Sequence, residues 1–308
     1  MKKIILLMIP ALMLAGCKKA DTSGLKIITP VGAPAFAFYK QATNPNFETN
    51  SVPDNVSASL SESSDKDIVV IDTVSGVQAL QKGAPYKLAA SITFGNFFIA
   101  STGHDANGNM DPGDKIVVFG QGKTPDLLFH YLYDTTYDSG VEYVGNVQDA
   151  AKCLITGKNA VTTHDIDYVF IAQPALYNAL QKNTNASKYV DVQEAYATKS
   201  GGKDLIQASV FVRNSTEKSK INQFLKDLKS DIEEEISNPD IIAETLKDQD
   251  SDEMTSLYGA DYNIAVNVMK DNNGLGLGYK KGKDIKANID TFISLFGVEE
   301  TNEEIYYK

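Results

Sequence analysis

The chain has no tryptophan, two cysteines and three histidines in 308 residues, and Arg213 is its one arginine. Two cysteines cannot build the disulfide framework that small secreted domains need, so the core stands on packing. A lone guanidinium offers no cluster for clamping phosphates. The 29 basic side chains face 40 acidic ones, a net charge of −11 spread along the chain with no basic stripe, which excludes nucleic acid as the expected partner. His104, His130 and His164 are scattered and none stands in an HExxH frame, so no zinc site is expected. There is no GxSxG elbow and no local Ser, His and Asp arrangement, so neither catalysis nor a cofactor is expected.

What is present begins with a cationic Met1-Lys2-Lys3, an apolar run from Ile4 to Leu14, and Ala15-Gly16 before Cys17. The run is shorter than the roughly 18 residues a bilayer span takes, and the order of charge, apolar core and small residues is that of a secretory signal over residues 1–16. Leu14-Ala15-Gly16-Cys17 also resembles the bacterial lipobox, which implies a diacylglyceryl group on Cys17 and cleavage before it. Ordinary cleavage near Ala15, with Cys17 incidental, is the alternative. Residues 17–24 then form a lipidated tether holding an acidic globule at the outer face of a cell membrane. Loss of Lys2 and Lys3 takes the net charge to −13.

The body is 43% apolar, and its length suits one large domain or two lobes. Short Val- and Ile-rich runs alternate with helical stretches: 25–28, 67–72, 87–93, 115–119, 141–144, 166–172 and 205–212 read as strands. Asn146 to Gly157 reads as a helix in which Cys153 is a buried, inert thiol. Thr124-Pro125-Asp126 reads as a helix start with Thr124 at the N-cap, and Asn214 to Glu217 as a start resembling a capping box. The expected class is α/β, two mainly parallel sheets flanked by helices. After Arg213 the chain reads as almost wholly helical. Its return to the first sheet puts residues 25–104 and 205–308 in lobe 1 and 105–204 in lobe 2, with crossings in the polar runs 101–114 and 198–204. A ligand cleft then lies between the lobes, where strand ends and helix starts converge.

The segments Asp67 to Ser101, Phe119 to Leu128, Val141 to Ala151 and Asp167 to Pro174, taken in order, resemble the type II solute-binding proteins of ABC importers, in the branch with sulfonate, nitrate and thiamine-precursor binders. The resemblance implies a two-lobed periplasmic-binding-protein fold, a small organic nutrient as ligand, and ABC permease and ATPase subunits as partners of a monomeric lipoprotein. It implies ligand contacts at Gly32, Ala33 and Pro34 after the first strand, at Thr73 and Ser75 after the third, and at Gly122, Lys123 and Thr124 opening the first helix of lobe 2. Where the family has Glu-Pro, this chain has Gln173-Pro174, which removes a carboxylate. Phe94 and Asn96 follow a strand end, where an aromatic ring can stack on a planar ligand or simply pack. At these turns, unpaired helix-start N–H groups are the expected ligand donors. An enzyme on the same scaffold, of the pyrimidine-precursor or menaquinone-pathway kind, and a surface lipoprotein with a macromolecular partner are the alternatives.

Other patterns fail. Gly122-Lys123-Thr124 lacks the glycine a Walker A loop needs, because Val117 stands there. Asp105, Asn107 and Asn109 alternate like calcium donors, but Met110 and Ile116 occupy the Gly and Glu positions, so the stretch reads as a solvated hinge loop. Glu233-Glu234-Glu235 reads as an exposed charge run. With one arginine, a neutral or weakly charged ligand is favoured over sulfonate or nitrate, and Lys123 keeps an anion in play.

Overall fold

The computed structural model describes residues 19–104 and 108–308. Cys17, most of the tether, and Asp105 and Asn107 of the suspected calcium loop lie outside them.

In chain order the strands are β1 (Ile27–Pro30), β2 (Phe47–Asn50), β3 (Ile68–Asp72), β4 (Tyr86–Thr93), β5 (Phe97–Ser101), β6 (Ile116–Phe119), β7 (Val141–Val144), β8 (Tyr168–Ala172), β9 (Ser187–Asp191), β10 (Ala208–Arg213) and β11 (Leu277–Lys281). The helices are α1 (Ala33–Phe36), α2 (Pro53–Ala58), α3 (Thr73–Gln81), α4 (Thr124–Tyr133), α5 (Val147–Thr156), α6 (Ala175–Lys182), α7 (Val192–Lys199), α8 (Lys218–Ser237), α9 (Asp240–Leu246), α10 (Ser251–Tyr258), α11 (Tyr262–Lys270) and α12 (Lys286–Ser294).

The strands form two sheets, β11-β4-β10-β3-β1-β2 and β7-β6-β8-β5-β9. Apart from the edge strand β11, the two repeat one plan. In each, a parallel trio meets a strand that has crossed over from the other lobe and pairs antiparallel: β10 on β3 in the first, β5 on β8 in the second. The central strands are buried on both faces, which accounts for their unbroken Val and Ile runs.

The first crossing differs from expectation. β5 belongs to the second sheet, so the chain changes lobe at Phe94-Gly95-Asn96, not at residue 104, and the polar run 101–114 joins β5 to β6 within lobe 2. Two buried apolar strands flank a three-residue link, so no change in composition marks it. The return passes through Leu205, Ile206 and Gln207 into β10, and Gln207 N–H donates to the Thr93 carbonyl at 3.0 Å, so the crossings run side by side. Behind them Leu205, Ile206, Val192, Tyr196 and Phe292 belong to one apolar cluster that continues into both lobes.

Three further expectations change. The region after Arg213 is not wholly helical, since β11 closes the edge of the first sheet. α8 begins at Lys218 with Glu217 as N-cap and no side-chain cap bond. Glu235 is fully buried rather than exposed, on the same face of α8 as Leu228 and Ile232, and burial holds its carboxyl well above the usual range. Cys153 is buried as expected, and burial pushes its thiol up.

Candidate functional site between the lobes

β3 ends at Asp72, which extends its backbone and caps α3: Oδ1 accepts from Ser75 N–H at 2.8 Å. Burial raises the Asp72 carboxyl, opposed by the bonds from Ser75 and the charge of Lys123, while Asp54 adds to the rise. Thr73 is fully buried, and its hydroxyl joins Ser209 (2.8 Å) and through it Ser91 (2.8 Å), tying β3, β10 and β4 together. Thr73 is therefore bound into the sheet, and Ser75 into the cap.

α1 is a single turn. Gly32 has φ +105°, which only glycine adopts without strain, and its N–H donates to the Tyr258 carbonyl at 3.0 Å. Ala33 and Pro34 are buried beneath it. Across the seam, α4 starts at Thr124 with Lys123 as N-cap, one residue earlier than expected, and no side chain caps it there. Gly122 N–H instead donates to Asp126 Oδ2 at 2.7 Å. Asp126, 6% exposed, also accepts from Tyr143 OH at 2.8 Å and lies 3.0 Å from His130 Nδ1. Partial burial pulls the His130 imidazole down, but Asp126 and Asp138 outweigh it and raise the group above its ordinary value of 6.5. α6 repeats the pattern: Gln173 Oε1 accepts from Tyr177 N–H at 3.0 Å. At Gly32, Gly122 and Ser75, turns expected to meet a ligand, and at Tyr177 after Gln173, one backbone N–H is engaged within the protein.

The crossings are different. Asn96 is 3% exposed; its Nδ2 donates to the Gln173 carbonyl at 3.0 Å, which fixes the amide orientation, and its Oδ1 has no partner. Thr93 Oγ1, fully buried, and Gln207 Oε1 are also unpartnered. Phe94 is half-buried, with Lys280 Nζ 4.9 Å from its ring centroid and Gly278 against its edge. Over the seam Lys123 reaches Asp54 of α2 at 3.4 Å, and Lys188 of β9 pairs with Asp271 beyond α11. Sequence reasoning gave Asp72 no ligand role and passed over Asp54, Thr93 and Gln207. The spacing Asp72-x-x-Ser75 was the available signal for the first. Arg213 is remote from the seam: it donates to the carbonyls of Ser61, Glu62 and Ser64 and to Tyr86 OH.

Two surface hollows lie elsewhere on lobe 1, one of about 440 Å³ around Arg213, Lys218 and Tyr307 and one of about 390 Å³ between Gln78 and Glu299; neither includes a crossing residue. Among the described residues no group of His, Cys, Asp and Glu is placed to hold a metal ion, and no helix is long and apolar enough to cross a membrane.

Two sheets of one plan, exchanging a strand at each of two adjacent crossings, define the type II periplasmic-binding-protein fold. Solved structures agree. An ABC transporter protein from Parabacteroides distasonis superposes with a TM-score of 0.72 at 18% identity, covering 94% of this chain and 99% of that one. The periplasmic aliphatic sulphonate binding protein SsuA from Escherichia coli gives 0.63 at 12%, covering 89% and 86%. A Candida albicans gene product with the generic periplasmic binding protein fold gives 0.55 at 11%, covering 91% and 92%. At these identities the likeness is one of fold. No family model matches the chain, and no curated protein sequence does.

Proposed function

We propose that the protein is an extracytoplasmic receptor that holds a small organic nutrient between its lobes and delivers it to an ABC import permease powered by a separate ATPase subunit. Lipidation of Cys17 would anchor it as a monomer at the outer membrane face, with residues 18–24 as tether, and it would bind without catalysing. The observation that carries this reading is the pair of crossings whose buried side-chain oxygens, Thr93 Oγ1, Asn96 Oδ1 and Gln207 Oε1, lack partners among the described residues. A buried polar group without a partner costs about 1–3 kcal/mol, which a solute bonded there would recover. Such a solute also favours the arrangement of the lobes that encloses it, the state a permease would read. The fold supports the same reading, since proteins named as ABC transporter and sulphonate-binding components share it.

The test is native mass spectrometry of protein released from its own membrane. The reading expects a diacylglyceryl mass on Cys17 and a small organic adduct lost on denaturation. Protein that carries no adduct, and that no metabolite pool shifts in melting temperature, would contradict it.

A further inference from the structure

We infer that the solute is a small organic cation of the amine or amidine class, bound through its N–H groups, and not a sulfonate or another anion. The inference rests on the receptor reading above and assigns the substrate class of that site. Three observations carry it. The first is the polarity of what is left open at the crossing. Asn96 Nδ2 is committed to the Gln173 carbonyl, so the buried Oδ1 can only accept, and the unpartnered Gln207 Oε1 on the return crossing is an acceptor too. Thr93 Oγ1 serves either way. A ligand that completes this set brings donors.

The second is charge. Asp72 stands at the strand end next to the crossing, where its backbone neighbour Thr73 donates N–H to the Gln207 carbonyl at 3.0 Å. Asp54 lies across the seam from Lys123, the cation of α4, and the two pair at 3.4 Å. The remaining seam lysines are matched by Asp204 for Lys280 and Asp271 for Lys188. Among the described residues Asp72 forms no ion pair and feels only the more distant charge of Lys123, so a cationic solute would supply a direct partner. The third is what an anion site would require. Bidentate capture of a sulfonate calls for a guanidinium or a set of open helix-start N–H groups. Arg213 is spent on the Ser61 to Ser64 loop, and the N–H groups of Gly32, Gly122, Ser75 and Tyr177 are taken.

The experiment is calorimetric titration of the full mature chain with cadaverine, agmatine and benzamidine in one arm, and ethanesulfonate, MOPS and nitrate in the other, at one ionic strength. At least one cation is expected to bind tenfold or more tightly than any anion. Asp72→Asn keeps an acceptor at the N-cap of α3, so it is expected to melt as the parent does while binding that cation about tenfold more weakly. A sulfonate or nitrate that binds better than every cation overturns the class and leaves the receptor reading standing. Cation binding unchanged in Asp72→Asn overturns it as well. If no probe binds, the molecule released from native protein decides: an amine or amidine supports the inference, an acid overturns it. An empty native protein removes both the receptor reading and the inference.

Discussion

The helix starts that face the seam and the strands that cross it are in opposite states. At each of these turns one backbone N–H is held by the protein itself: Ser75 by Asp72, Gly122 by Asp126, Tyr177 by Gln173, and Gly32 by the Tyr258 carbonyl. At the crossings the polar atoms are as deeply buried, yet Thr93 Oγ1, Asn96 Oδ1 and Gln207 Oε1 find nothing in the protein. Buried polar groups in folded proteins are overwhelmingly paired. The proposed reading assigns the engaged turns to the scaffold and the unpartnered oxygens at the crossings to the solute.

The contrast can be broken most severely on the saturated side. Asp126→Ala strips partners from the Gly122 N–H, the Tyr143 hydroxyl and His130 together, and is expected to lower unfolding free energy by about 3 kcal/mol, read by urea titration. Because the folded state raises His130, its contribution is complete below about pH 6.5, its ordinary value, and fades as pH rises through the raised one. The deficit of Asp126→Ala is thus larger at pH 5.5 than at pH 8.

Glu235 is the control for an open buried group outside the seam. Both its oxygens lack partners, and it packs in lobe 1 near Tyr258, far from any crossing. Glu235→Leu is expected to stabilise the protein by about 2 kcal/mol at pH 7, measured by denaturant melts. The wild-type carboxyl is protonated more readily folded than unfolded, so the gain shrinks as pH falls toward 4.5, where both states hold the proton. A gain constant across that range would mean that the carboxyl titrates alike in the folded and unfolded chain, contrary to its raised value.

Thr93→Val should show the smallest change in the free protein. Removing a hydroxyl that has no protein partner leaves stability unchanged or raises it by up to about 1 kcal/mol, whereas affinity for the cationic solute falls. A loss of stability similar to that of Asp126→Ala would place Thr93 with the scaffold and erase the distinction.

Much of the scaffold was legible because its signals are local. β3, β4, β6, β7 and β8 announce themselves as apolar runs, and α5 is punctuated by Asn146, which caps Asp149 N–H, and by Gly157 in the left-handed conformation. Four strands escaped: β2, β9 and β11, polar and on sheet edges where lysine and glutamate suit an unpaired flank, and β5, an apolar core strand lying just after the link that follows β4. The crossing escaped for the reverse reason. Phe94-Gly95-Asn96 sits between two core strands, while the conspicuous polar run after Ser101 looked more like a boundary. Glu235 was legible in principle, since 228, 232 and 235 share one helical face, but three consecutive glutamates read as solvated. Gly32, Gly122, Thr73 and Gln173 stand where strand ends meet the seam, and only three-dimensional pairing reveals that their polar groups are already engaged.

The most direct measurement of the central claim is a high-resolution crystal structure of protein taken from its native cells, with attention to density within hydrogen-bond reach of Asn96 Oδ1 and Thr93 Oγ1. The account predicts an ordered organic molecule donating to both atoms and approached by the Asp72 carboxylate. Ordered water alone bridging those atoms, with the seam otherwise packed shut by protein side chains, would contradict it.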